Sequence, residues 1–428
     1  MGAQQTEVFS IIVCWGALLI QLPGYRDNPV AIEVGCRASN SIVATRPNCL
    51  AATLPFCRLI GASIHRQYAA EGRGGPLRIL FDGFWWRDGP PSGRNVLTSI
   101  VREWRSVFSE DEIALAVPAA VAGPAAAEFP DRVAVLASHL PQHGLSTVCE
   151  LGRHRPFDVV FSHNFTPLFT RALRATFVHD VMFQDRPQWF TRSELLYLAA
   201  VPVLARKADL IFTSSRAEAQ RIGRLNPGLR TRTRDVGLGL SHTFSNAELR
   251  RPQLSVQPKG FILAVGRVNI RKNLDKLVDS LLSARLIGPE FPLVVVGAKD
   301  GLTVAMPSLA SASRTGTVLQ TGYISDGELR WLYANCATFV FPSLDEGFGL
   351  PVLEAADNRA PMALSRIPAF QEFGDVGSFF DPTDAKSIAD AVTESILNGP
   401  SAGAGGLTMR FSWAATVARI RESLLERV

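Results

Sequence analysis

The sequence predicts an α/β protein made of two doubly wound domains facing each other across a cleft. Three observations carry this expectation. From Leu77 onward, short apolar runs alternate with stretches of helical spacing, the rhythm of a parallel sheet covered on both faces. The rhythm lapses once, through RRPQLSVQPKG at 250–260, whose prolines and polar residues read as a linker. It then resumes, and 428 residues are more than one ordinary domain core supports.

The elements of the first half follow in order. LRILFDG (77–83) is a strand ending in Asp-Gly, and SGRNVLTSIVREWRSVF (92–108) carries apolar residues at helical spacing. EIALAVP (112–118), RVAVLAS (132–138), FDVVFSHN (157–164), ATFVHD (175–180) and DLIFTSS (209–215) are further strands. ELLYLAAVPVLARKA (194–208) reads as one long helix that Pro202 kinks or splits. Thr191 and Glu194 fit a capping box at its start.

The second half repeats the pattern. FILAVG (261–266), PLVVVGA (292–298), TVLQTGY (317–323), ATFVFPS (337–343) and PMALSRI (361–367) are strands, with helices near 273–287, 326–336, 351–358 and 384–397. Ser325 and Glu328 form a second capping box. Expected boundaries are an N-terminal extension at 1–75, a first domain at 76–250, a second at 251–410 and a terminal helix at 411–428. Sheets of this kind bind ligands at the carboxyl ends of their strands, so the cleft is the expected active site.

Composition excludes some classes. Hydrophobic residues make up 47% and charged residues 19%, with a net charge of +5, a globular profile with a mild preference for anionic partners. No basic run resembles a nucleic-acid tail, and no nucleic-acid partner is expected. The six cysteines form no CxxC pair and no histidine takes zinc spacing around them, so reduced thiols in a cytosolic protein and no metal site are expected. No apolar run reaches the ~20 residues of a membrane helix. IIVCWGALLI at 11–20 is short and follows no basic residue, which makes it a poor signal peptide. MGAQQT fits the bare myristoylation pattern at Gly2, a single signal where stable anchoring takes two.

The chemistry concentrates at DEGFGLPVLEA (345–355). A strand ends, a loop follows, and a helix is expected to start with Pro351 at its first position. That puts Glu346 in the loop and Glu354 in the first helical turn. The glycines let backbone approach a ligand, and a helix N-terminus with a glycine-rich approach is a ready anion site. An anion site flanked by two carboxylates suits a ligand with both a diphosphate and hydroxyls. The plain alternative is a strand–loop–helix junction whose glutamate favours the helix dipole.

AVGRVNIRKNLDKLV (264–278) puts Arg267 just past a strand end and Lys272 near a helix start, a planar fork and a point charge suited to phosphate oxygens. In the first domain FVHDVMFQDRP (177–187) sets His179 and Asp180 where a strand runs into a loop. GPPSGRN (89–95) precedes a helix on the side where an acceptor could be met.

Together these segments resemble the retaining glycosyltransferases of GT-B fold, the large group that includes bacterial mannosyl- and glucosyltransferases. The resemblance covers about residues 77–428 and rests on E-x7-E at Glu346 and Glu354 and on G-R-x4-K-N from Gly266 to Asn273. HD at 179–180, ARKADLIFTSS at 205–215 and FSW at 411–413 support it. It implies two Rossmann-like domains and a closing helix that crosses back to the first.

The resemblance also implies roles. Arg267 and Lys272 would hold the donor diphosphate beside Gly266, joined by the amides near Phe348, Gly349 and Leu350. Glu354 would bind the ribose, Glu346 the transferred sugar, and residues around Gly322, Tyr323 and Ile324 the base. His179 would approach the sugar from the facing domain, with Asp180 and the loop around Gly93 on the acceptor side. The early loop lacks the double glycine of many relatives, having Gly89 and Gly93 separated by prolines.

The implied reaction is transfer with retention, by front-face attack assisted by the leaving phosphate, without metal or cofactor. The donor would be a GDP- or UDP-linked sugar and the acceptor a glycan or lipid-linked glycan of cell-surface polysaccharide. The enzyme would be cytoplasmic, with peripheral attachment to the inner membrane face compatible with its charge. A non-catalytic nucleotide-sugar-binding subunit is the alternative. No GxGxxG follows a first strand, which disfavours a nicotinamide dehydrogenase.

Overall fold

The computed structural model describes residues 75–428 apart from 129–132, 141, 155 and 299–304. It also describes strands Ile12–Cys14, Ala17–Leu19 and Ala31–Glu33, which pair antiparallel with one another. The myristoylation pattern at Gly2 and the cysteines Cys36, Cys49 and Cys57 lie outside the described residues. Cys149 and Cys336 are free thiols.

The first sheet has seven parallel strands: β1 (Arg78–Asp82), β2 (Glu112–Pro118), β3 (Val133–Ser138), β4 (Val159–His163), β5 (Leu173–Phe177), β6 (Leu210–Thr213) and β7 (Thr233–Asp235). Their spatial order is β3-β2-β1-β4-β5-β6-β7. The second has six: β8 (Ile262–Val265), β9 (Leu293–Val296), β10 (Val318–Gly322), β11 (Thr338–Phe341), β12 (Met362–Ser365) and β13 (Ser378–Phe380). Its order, β10-β9-β8-β11-β12-β13, repeats the first. The α/β class with two Rossmann-like sheets therefore holds. In each sheet the winding reverses once, between β1 and β4 and between β8 and β11, and such reversals open ligand crevices.

The central strands are largely apolar because both sheet faces are covered. Phe81, Phe161 and Phe212 are fully buried and meet ring to ring across β1, β4 and β6. Short strands β7 and β13, three residues each, went unpredicted because they lie at sheet edges and carry no long apolar run.

The helices that position the site are α1 (Pro91–Val107), α2 (His143–Cys149), α3 (Arg192–Leu198), α4 (Ala200–Ala205), α5 (Arg216–Leu225), α6 (Leu274–Ser283), α7 (Asp326–Asn335), α8 (Leu350–Asp357) and α9 (Trp413–Leu425). Both expected capping boxes form, at Thr191–Glu194 and Ser325–Glu328. The single helix expected over 194–208 is two. The break falls at Ala199, so that Pro202 sits in the first turn of α4, where a missing N–H removes no helical bond.

Helix α9 packs along α1 of the first sheet. Arg421 grips the buried Asp111 carboxylate with Nε at 2.8 Å and Nη2 at 2.9 Å. Asp111 also accepts from the Leu77 amide and the Trp104 indole, so the buried charge is fully bonded.

Candidate active site

The second sheet's half of the site is built by two glycine-dependent turns. Gly266 follows β8 with φ +145°, and a Cβ there would stand 2.9 Å from Lys272 Cε. The side chain of Asn269 accepts from the Lys272 amide, and Asn273 takes a left-handed φ of +56°, a conformation asparagine tolerates. This tight turn folds Lys272 back over the end of β8, into the space Gly266 leaves open. The second turn precedes α8, where Gly349 has φ +116° and a Cβ would meet Phe370 at 2.7 Å.

Helix α8 begins at Leu350, one residue earlier than the sequence predicts. Pro351 is therefore second, and Glu354 opens the second turn instead of lying in the first. Pro351 has no N–H and the Val352 amide bonds the Gly349 carbonyl, so in the first turn it is the Leu350 amide that is left facing the glycine-rich approach. The Phe348 side chain is buried against Phe373 and Phe411, so Phe348 can offer a ligand only its backbone.

Glu346 is the centre of the charged network. Its Oε1 accepts from Lys272 Nζ at 2.6 Å and Ser343 Oγ at 2.7 Å. Its Oε2 accepts from Arg271 at 3.3 Å. Burial pushes its pKa up, but Arg271, Lys272 and the Ser343 hydroxyl outweigh burial and hold it at about 2. Burial lowers Lys272 to about 8 against the pull of Glu346, with Arg271 and Arg267 adding repulsion. Arg267 thus bears on Lys272, as the sequence spacing suggests.

Glu354 lies farther along the cleft. It accepts from the Tyr333 hydroxyl at 2.9 Å, and burial raises its pKa to about 7 despite that bond. It lines a cleft of about 570 Å³ together with Tyr323, Asp326, Arg94 and Asn95. Tyr323 is 90% exposed and its neighbour Ile324 half-buried, so the phenol ring is free to cover a flat ligand. Gly322 takes φ +67° and turns the chain toward it.

The first sheet's half is aromatic. Asp82, at the end of β1, accepts from His143 Nε2 at 3.0 Å and Thr147 at 2.8 Å. His143 Nδ1 meets the Tyr197 hydroxyl at 3.0 Å. The indole of Trp85 lies 4.4 Å from His143 and 5.7 Å from His179, centroid to centroid. His179 stacks on His163, with Nε2 at 3.4 Å from His163 Nδ1. Burial, then the neighbouring histidines, keep His179 well below its ordinary pKa, so it is a neutral ring. Gly93 lies in α1 beneath Trp85, where a Cβ would be 2.7 Å from the indole. It shapes the wall through Trp85 and not by contact of its own loop.

The two halves meet at Gly347. Its carbonyl accepts from Ser214 at 3.0 Å and Ser215 at 2.5 Å. A Cβ there would come within 3.4 Å of the His179 carbonyl and 3.6 Å of Asp180. Arg221 on α5 binds Asp345 through Nη2 at 2.5 and 2.6 Å and Glu218 through Nη1 at 2.5 Å. Asp180 is raised by burial, against the charges of Arg271 and Arg221. The fold therefore brings His179 and Asp180 to the Glu346 loop, with Lys272 on its other side, while Glu354 and Tyr323 line the cleft beyond.

Sequence reasoning passed over Arg271, Arg221, Ser214, Ser215, His163 and Asp82. All but Arg221 stand at or just beyond a strand end or in a quoted motif, which was the available signal, whereas Arg221 lies within α5. Among the described residues no group of three or more His, Cys, Asp or Glu side chains is arranged to hold a metal ion.

Residues 245–404 match the family described as glycosyl transferases group 1. The chain is 30% identical over 257 residues to O-antigen chain mannosyltransferase B of Escherichia coli, covering 56% of this chain and 66% of that protein. It is 28% identical over 227 residues to the serotype-specific mannosyltransferase WbdA of Escherichia coli, covering 49% and 28%. The chain thus spans less than two thirds of the length of either relative. Among solved structures it is similar to Anabaena Alr3699/HepE in complex with UDP, with TM-score 0.57 and 16% identity over 82% of this chain and 100% of that one. The Candida albicans trehalose-6-phosphate phosphatase N-terminal domain gives TM-score 0.59 at 12% identity, over 84% and 99%. At these identities the structural likeness speaks for the fold.

Proposed function

On the match of residues 245–404 to the glycosyl transferases group 1 family and the GT-B fold, we propose that the chain is a retaining hexosyltransferase. It moves a hexose, with mannose favoured by the two relatives, from a GDP- or UDP-linked donor to a glycan or lipid-linked acceptor. The product belongs to cell-surface polysaccharide or lipopolysaccharide, made on the cytoplasmic side of the membrane.

The observation that carries this reading is the Lys272–Glu346–Arg271 network beside the glycine-rich N-terminus of α8. Two cations converge beside the helix N-terminus where a diphosphate would leave, and fixed charges in a dry site stabilise a leaving group strongly. Glu354 and Tyr323 take the ribose and base, and His179 faces the sugar as a neutral hydrogen-bonding ring. Glu346 is a poor nucleophile, since both its oxygens are occupied and its pKa is about 2. Front-face displacement fits better: the C1–phosphate oxygen bond breaks and the acceptor oxygen bonds C1 on the same face. The acceptor proton passes to the leaving phosphate. No metal or cofactor is assigned to this step.

A panel of GDP- and UDP-sugars scored for nucleoside diphosphate release tests the proposal. One donor should be turned over, and Lys272→Ala should lower turnover about 10²–10³-fold with the fold intact by circular dichroism. Donor binding without release in any acceptor mixture would instead favour a non-catalytic binding subunit.

A further inference from the structure

Helix α3, RSELLYL, carries four apolar residues and fully buries none of them, Leu195 and Leu198 packing only partly against the core. Leu196 is 81% exposed, Tyr197 44%, and Val203 on α4 59%. Exposed apolar residues that gather mark an interaction site, whereas scattered ones do not. These continue into a larger face. Tyr197 bonds His143 on α2, where Leu145 is half-exposed, and the Leu168 amide bonds the Val148 carbonyl of the same helix. Leu168 and Phe169 are exposed too. Six of the twelve exposed large apolar side chains among the described residues thus belong to this face.

The charges around it are mainly positive. Arg186 precedes the two helices, Arg192 opens the first, and Arg206 and Lys207 follow them, all exposed. The flanking acids Asp185, Asp209 and Glu150 are taken up by Arg224, the Arg174 amide and the amides of His139 and Leu140. Arg153 lies over the Phe169 ring at 5.5 Å. The one acid in 186–207, Glu194, is taken up by its capping box with Thr191. An apolar patch rimmed by cations matches an anionic lipid surface, whose headgroups take the charges while the side chains enter the acyl boundary. No described helix is long and apolar enough to cross a membrane, so the face lies on a bilayer and does not span it.

We infer that α3, α4 and the adjoining loop at 168–169 form a docking surface for anionic lipid bilayers. The surface connects to the cleft through Tyr197, whose ring stands at the surface while its hydroxyl bonds His143, which bonds Asp82 beneath Trp85. A lipid-linked acceptor held in the bilayer is thereby delivered to the aromatic wall. That last link rests on the proposed transferase reading, whereas docking itself does not.

The test is co-sedimentation of the full chain with vesicles of phosphatidylcholine alone or with 30% phosphatidylglycerol (roughly the anionic content that gives a marked surface potential). Binding is expected to the anionic vesicles only, and to weaken with salt. Leu196→Gln with Val203→Gln should lower the partition coefficient at least about tenfold. Arg206→Gln with Lys207→Gln should lower it about fivefold per cation. Both variants should keep wild-type nucleoside diphosphate binding by calorimetry. A wild-type chain that stays in the supernatant with both vesicles overturns the inference, as do variants that bind like wild type. A dimer by analytical centrifugation that the leucine–valine variant abolishes, without vesicle binding, assigns the face to a second copy instead. Vesicle binding with no donor turnover would retain the docking surface and remove the transferase reading alone.

Discussion

The two sheets share one winding order and differ in what they place at its reversal. The second sheet sets fully formed charges there: Lys272 and Arg271, each within hydrogen-bond reach of Glu346. The first sets rings, Trp85 against His143 and His179 and His179 against His163, with His143 bonded to Asp82. The same backbone thus serves two chemistries. Fixed cations suit a diphosphate that gains charge as it leaves. Stacked rings with few charges suit a sugar, which offers hydroxyls and an apolar face.

The sharpest way to break this contrast is to remove one residue from each side. Lys272→Ala should lower kcat by about 10²–10³-fold, the scale of losing a transition-state charge partner. His179→Ala should lower kcat/KM about tenfold, the worth of one neutral hydrogen bond. Steady-state kinetics on the accepted donor measures both. Equal losses would mean that the ring side carries charge stabilisation too.

Stability should show the same asymmetry. Glu346→Gln leaves Lys272 and Arg271 buried without their counter-charge, and should cost about 3 kcal/mol in urea unfolding at neutral pH. Asp82→Asn keeps an acceptor for Thr147 and His143 and should cost about 1 kcal/mol. The pH dependence has a definite sign. Glu346 sits at about 2, below its ordinary 4.5, so its stabilisation is present above 4.5 and is lost as pH falls toward 2. The gap between wild type and Glu346→Gln should close over that window.

Much of this contrast was legible in the sequence, but unevenly. The charged half uses local motifs: Gly266 through Asn273 is one turn, and Glu346 to Glu354 one strand–helix junction, so spacing alone suggests the geometry. The ring half draws Asp82, His143, His163, His179 and Tyr197 from five separate segments. Only the strand order unites them, and no local pattern announces it. Arg221 illustrates the same limit. It lies mid-helix with an ordinary surface look, and it is the fold that lays it against Asp345, 124 residues away. Helix boundaries were the finest detail missed: the helix starts one residue early, at Leu350, so Glu354 opens the second turn beside Tyr333.

That shift sets up a smaller effect. In the free protein Glu354 sits at about 7 and Lys272 at about 8. If Glu354 binds ribose as the ionised acceptor and Lys272 binds phosphate as the cation, kcat/KM should form a narrow bell, rising through about 7 and falling above about 8. Profiles of kcat/KM report the free enzyme's groups. Tyr333 donates to Glu354 and favours its ionised form. Tyr333→Phe removes that bond, so the acid limb should move up by less than about one pH unit, with little loss of kcat at the optimum. The alkaline limb, which belongs to Lys272 and its partner Glu346, should stay in place. If both limbs move together, Glu354 and Lys272 titrate as one coupled unit, and the ribose and diphosphate ends of the charged half cannot be treated as separate sites.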